Sequence, residues 1–113
     1  MTVLHQPISR RRGDTWRING TMLDEYGAPI DLSDAVVEWA LVDREWKQVL
    51  LLSTASGGIV VTDAAAGRVR ITIPKAETAK LAPGRYQDQA RVSTGGEADT
   101  MWTGEITVGF SPF

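Results

Sequence analysis

Apolar and polar residues alternate with a period of two along most of this chain, and no long stripe at helical spacing interrupts them. From Asp14 to Leu23, Trp16, Ile18, Gly20 and Met22 fall on one face, with Thr15, Arg17, Asn19 and Thr21 opposite. Ala35 to Asp43 groups Val37, Trp39 and Leu41. Its other face, Val36, Ala40 and Val42, is less polar than an exposed sheet face usually is, which points to partial cover. Trp46 to Ser53 reads as the next strand, but Val49 to Leu52 are apolar in succession, so parity leaves its inward face open. Ile59 to Thr62 is a short strand, and Arg68 to Ile73 turns Val69, Ile71 and Ile73 inward. Beyond Arg85, Tyr86, Ala90 and Val92 share a face, and the acid Asp88 falls on the same inward parity. The last strand, about Thr100 to Val108, turns Trp102, Gly104, Ile106 and Val108 inward.

Turn chemistry separates these segments. Asp24-Glu25-Tyr26-Gly27 combines a local side-chain acceptor with a residue free to take positive φ, and Asp31 to Asp34, Asp43 to Glu45, Asp63 to Gly67 and Thr94 to Glu97 are further turns. A short helix over about Lys75 to Leu81 is too brief to stand alone. It leads into Leu81-Ala82-Pro83-Gly84-Arg85-Tyr86, where Leu81, Gly84 and Tyr86 have the spacing of a tyrosine corner, the phenol tying a sheet-to-sheet crossover back to backbone. The expected fold is all-β, an immunoglobulin-like antiparallel β-sandwich of seven or eight strands with one short helix before the corner. It forms one domain over residues 1–113, with 1–9 an N-terminal arm or edge strand and 110–113 a tail. Trp16, Trp39 and Trp102 belong to the core by parity, and inward Gly20 or Gly104 is expected to make room for the ring of Trp39.

Composition narrows the chemistry. There is no cysteine, which removes disulfides and thiolate metal sites, and the formal charge of −2 argues against a nucleic-acid partner. No apolar run approaches a membrane span and the first residues lack a signal-peptide pattern, so synthesis in the cytoplasm is expected. The one histidine, His5, has no nucleophile or base partner in sight, and no catalytic, cofactor-binding or metal residues are assigned. Turn carboxylates such as Asp24/Glu25 and Asp31/Asp34 read as Asx turns before calcium ligands. Asp88 reads as a satisfied buried acid or a bulge turned to solvent, with a functional acid as the rival. Arg10-Arg11-Arg12, beside Trp16 and Arg17, reads as a solvated edge or a protein contact; Arg12-Gly13-Asp14 matches an integrin-binding tripeptide that three residues produce by chance. Trp46, beside a polar turn, is either a half-buried lid or an exposed anchor for a partner or a sugar.

Several of these segments recur together elsewhere. Arg12-Gly13-Asp14-Thr15, then Asp24 to Leu32, Gly67-Arg68-Val69, Glu77 to Leu81 before Gly84-Arg85-Tyr86, and Gly104 to Val108 follow one another in this order. From about residue 8 to 109 the chain resembles small phage and prophage structural proteins of immunoglobulin-like fold, among them N-terminal domains of baseplate or tail-fibre-associated proteins. That resemblance implies a noncatalytic structural or adaptor subunit of a phage or prophage-derived particle (tail, baseplate, neck or head decoration). It implies no cofactor, other particle proteins as partners with a homo-oligomer compatible, and a place first in the bacterial cytoplasm and then in the particle. The chain stops soon after the sandwich, which favours a small adaptor, decoration or neck-type subunit over receptor binding. The candidate interface is Arg10, Arg11, Arg12 and Trp46. The rival from another class is a stand-alone carbohydrate- or cell-surface-binding β-sandwich module.

Overall fold

Two sheets close face to face over the inward residues that alternation selects. The computed structural model describes residues 3–4 and 8–110; His5, the rest of the arm before Ile8, and the tail after Phe110 lie outside them. Among the described residues the strands are β1 (Val3–Leu4), β2 (Ile8–Arg11), β3 (Trp16–Thr21), β4 (Val36–Val42) and β5 (Gln48–Ser53). They continue as β6 (Ile59–Asp63), β7 (Arg68–Ile73), β8 (Gly84–Thr94) and β9 (Glu97–Gly109), with a single helical turn, α1 (Lys75–Thr78), before β8. The chain is therefore an all-β sandwich with one short helix.

The larger sheet runs β5-β4-β8-β9, and along the free edge of β9 the chain lays first β1 and then β2, both parallel to it. The smaller sheet is β3-β7-β6, antiparallel throughout. The strand tally exceeds the expected one because the N-terminal arm pairs in two pieces. β8 and β9 join through Gly95-Gly96, both at positive φ (57° and 89°), the conformation a two-residue hairpin requires.

The core follows the parity reading. Trp16, Met22, Val37, Trp39, Leu41, Val69, Ile71, Ile73, Ile106 and Val108 are buried. The run that parity could not orient is settled by a register shift at Leu41/Val42: Leu50 is buried opposite Leu41, while Leu51 stands outside beside Ala40. The outer face of β4 stays partly open, with Val36 exposed and Ala40 and Val42 half-buried.

Three details differ from the sequence reading. Strand β5 begins at Gln48, and Trp46 lies in the loop before it. The helix stops at Thr78, well short of Leu81. Thr78 is anchored sideways: its hydroxyl accepts from Gly13 N (3.0 Å) and donates to the Asp14 carbonyl (2.7 Å), and Leu81 must then leave the helical path to be buried ahead of Pro83. At Gly20 the covering ring belongs to Trp102: a Cβ built there would lie 2.5 Å from Trp102 Cη2 and 2.6 Å from Cζ3. Gly20 is on β3 of the small sheet and Trp102 on β9 of the large one, so the missing side chain lets one indole bridge the two layers.

That ring is fixed at its other end. Asp88, 1% exposed, accepts the indole N–H of Trp39 (2.8 Å) and of Trp102 (3.1 Å) on the same oxygen, Oδ2. Inward parity at position 88 thus serves two core tryptophans, each with an N–H that must be satisfied once buried. The expected tyrosine corner is also present: Tyr86 Oη donates to the Ala82 carbonyl at 2.6 Å, and Leu81 is buried beneath. Burial, and secondarily the Asp43 carboxylate, raises the Tyr86 pKa above its ordinary value of 10.0. A raised phenol pKa means that the neutral form is favoured in the fold. Its stabilisation is complete below about pH 10 and is lost as pH climbs through the higher folded value. Tyr86→Phe is expected to cost about 1 kcal/mol at neutral pH by denaturant unfolding and to flatten the alkaline limb of the stability curve.

A candidate docking site at one end of the sandwich

The β4–β5 hairpin is built around one aspartate. Asp43 Oδ1 accepts the amides of Glu45 (2.9 Å) and Lys47 (3.0 Å), its carbonyl accepts from Trp46 N (3.0 Å), and its own amide donates to the Lys47 carbonyl (3.0 Å). This is a three-residue loop whose last position takes left-handed backbone, where glycine is the usual occupant. Trp46 occupies it, at φ 62°, the one non-glycine residue with positive φ among those described. A left-handed conformation costs an L-residue about 1–2 kcal/mol. The same side chain is 68% exposed, so little core burial offsets that cost. Of the two sequence readings for Trp46, the half-buried lid does not hold, since the ring stands in solvent.

The ring has a definite setting. Because Val42 pairs with Gln87, the hairpin folds over beside the tyrosine corner. Trp46, Asp43, Arg44, Arg85, Tyr86, Gln87 and Glu105 line a cavity of about 320 Å³, and Arg44 and Arg85 continue into a neighbouring one of about 290 Å³ walled by Ala82, Pro83 and Gly84. Two features that lie forty positions apart in sequence, the exposed tryptophan and the corner, thus form one surface. Arg44 and Arg85 were not singled out by sequence; the available signal was outward parity for Arg85 directly between Gly84 and Tyr86.

The arginine run reaches the same end of the molecule by a different route. β2 pairs Arg10 with Val108 and Arg11 with Gly109, while Val108 also pairs with Gly84. The three side chains have separate fates. Arg12 is half-buried and its Nη2 donates to the Ala79 carbonyl at 2.5 Å, clipping the N-terminal strand to the segment after α1. The Arg11 side chain is exposed and its carbonyl accepts the Trp16 indole N–H at 2.9 Å; Arg10 donates to the Ser9 carbonyl at 3.1 Å. Arg10 and Arg11, with Ser9, Asp14, Thr107 and the 80% exposed Phe110, line a separate, open recess of about 630 Å³. The run thus borders the Trp46 site without lining it.

Charge is distributed unevenly from end to end of this 42 × 23 × 22 Å particle. The Trp46 end gathers Arg10, Arg11, Arg12, Arg44, Lys47, Lys75, Lys80 and Arg85 against Asp14, Asp43, Glu45, Glu77 and Glu105. At the opposite end, where β3 leaves for β4 and β8 turns into β9, lie Asp24, Glu25, Asp31, Asp34, Asp63, Glu97 and Asp99, with Arg68 opposite Asp63 and Arg91 opposite Thr100 as the nearby cations among the described residues. No group of three or more histidine, cysteine or carboxylate side chains is placed to hold a metal ion among the described residues, and no helix among them is long and apolar enough to cross a membrane.

The class that these observations define is an all-β sandwich presenting a strained, exposed tryptophan between arginines at one end. No family model matches the chain, and no curated protein matches it. Among solved structures the chain is similar to the N-terminal domain of phage TP901-1 ORF48, with a TM-score of 0.61 and 18% identity over 89% of this chain and 82% of that one. It is also similar to CopC from Methylosinus trichosporium OB3b, with a TM-score of 0.50 and 16% identity over 94% of this chain and 86% of that one. At these identities the likeness is one of fold.

Proposed function

We propose that this protein is a noncatalytic structural or adaptor subunit of a bacteriophage or prophage-derived particle. Its fold is immunoglobulin-like, and it works through protein–protein contacts made at the Trp46 end. The observation that carries the docking role is Trp46 itself: a large ring held in a backbone conformation that costs energy and left in solvent. Strain persists at positions where function repays it, and tryptophan, tyrosine and arginine are enriched among the residues that dominate interface energetics. The assignment to a particle rests on the order of the turn and corner motifs and is supported at the level of fold by the phage TP901-1 ORF48 domain.

Trp46→Gly separates folding from docking, because glycine suits the left-handed position. The variant is expected to be more stable than the wild type by about 1 kcal/mol in urea titrations, yet to be depleted from purified particles at least tenfold. Particles that incorporate Trp46→Gly at wild-type occupancy would falsify the docking role. Exposure of Trp46 beside the polar groups of its cavity also keeps a glycan-binding module in play. Glycan-array binding that disappears in Trp46→Gly would replace the particle reading with that one.

A further inference from the structure

The acidic end of the molecule holds a recess whose chemistry mirrors the Trp46 end. Leu23, Ile30 and Met101 give it apolar walls, and Asp24, Glu25 and Asp99 rim it, in a volume of about 440 Å³. That volume is on the scale of pockets that take small organic groups. The Asp24 carboxylate is committed to its own turn, accepting from Tyr26 N (2.8 Å) and Ala28 N (2.9 Å), which fixes the rim in place. Glu25 and Asp99 are exposed and form no ion pair among the described residues, and the same is true of Arg44 and Arg85 at the other end. Tyr26, at the tip of the acidic turn, is 86% exposed.

We infer that this chain associates with copies of itself head to tail, the Trp46 end of one copy seated in the Leu23/Ile30/Met101 recess of the next. Trp46 supplies the apolar anchor, and Arg44 and Arg85 meet Glu25 and Asp99 around it. The occupant is a second copy because each end offers what the other lacks: an aromatic ring between free cations at one, an apolar recess between free carboxylates at the other. Complementary potentials of this kind set the register of a contact and disfavour like-to-like pairing. A two-fold contact made at one end alone would bring arginines against arginines or carboxylates against carboxylates. A head-to-tail contact is heterologous, and it propagates into a ring or a stack depending on the rotation between copies. This inference goes beyond the proposed function and needs no other particle component.

Sedimentation velocity on the purified full chain from micromolar to several hundred micromolar tests it. Wild-type protein is expected to form a concentration-dependent series of oligomers at 50 mM salt, with the apparent dissociation constant rising at least tenfold at 500 mM. Two variants block one end each: Trp46→Gly/Arg85→Ser at the basic end, and Glu25→Ser/Asp99→Ser at the acidic end. Each alone should remain monomeric with a melting transition no lower than that of the wild type. Mixed together, they should form one-to-one dimers that grow no further, because each partner keeps one working end. A wild-type chain that stays monomeric throughout overturns the inference, as do single variants that oligomerise like the wild type or a mixture that stays monomeric. Monomeric wild type that still enters particles through Trp46 would overturn this inference alone; oligomers that form while Trp46→Gly enters particles normally would overturn the proposed function alone.

Discussion

Replacing Asp88 by alanine is expected to destabilise the protein by about 3–5 kcal/mol, the sum expected for two orphaned buried donors and the space that the side chain leaves. The loss has two sources. Both indole N–H groups that share Oδ2 would be left in the core without an acceptor, and each such orphan costs about 1–3 kcal/mol. A cavity would also open between Trp39 and Trp102, two of the largest rings in the sandwich. Asp88→Asn keeps an oxygen of the same reach, so it should recover a substantial part of the loss, while Asp88→Leu should not. Urea unfolding followed by tryptophan fluorescence reads all three. An Asp88→Ala protein within 1 kcal/mol of the wild type would show that the shared carboxylate does not organise the core.

Gly20→Ala is expected to cost about 2 kcal/mol, in the range for forcing one extra carbon into a packed interior. The new methyl group would sit inside the van der Waals envelope of the Trp102 ring at two atoms. A flexible neighbour would swing aside at little cost, but this indole is held by its bond to Asp88. The clash is therefore transmitted to Asp88, and through it to Trp39. Combining Gly20→Ala with Trp102→Leu should destabilise less than the sum of the two single variants, by at least 1 kcal/mol, since residues in contact fail to add. Strict additivity in that cycle would show that the two positions do not meet as described.

How far the sequence discloses this molecule can be argued from the same residues. Period-two alternation put Trp16, Ile18, Val69, Ile71, Tyr86 and Trp102 on their correct faces because each strand has one buried side, and that asymmetry is written locally. The Leu81 to Tyr86 corner was legible for a similar reason: a proline, a glycine and a tyrosine at fixed offsets specify a local geometry. Which indole covers Gly20 was not legible, since that contact joins β3 to β9 and depends on the offset between sheets, which alternation leaves undetermined. Asp88 could be recognised as anomalous from its parity, but its partners lie on β4 and β9. The candidate site divided in the same way. Trp46 stood out as a ring beside a polar turn, whereas its strained backbone depends on a loop length that only the Val42–Gln48 pairing fixes. Arg44 and Arg85 became part of a site only when that hairpin was laid beside the corner.

The parallel pairing of β2 with β9 has a consequence for the order of folding. Ile8 lies opposite Ile106, across nearly the whole length of the chain, and Arg12 N donates to the Gly109 carbonyl at 3.2 Å. The edge that β2 covers does not exist until the last strand has been made. During synthesis the first strand therefore leaves the ribosome long before its partner and must wait unpaired. Contacts this distant close late and slow the search for the native state. The three-stranded sheet of β3, β6 and β7 can assemble in the meantime from residues already released, leaving the meeting of first and last strands as the final stitch.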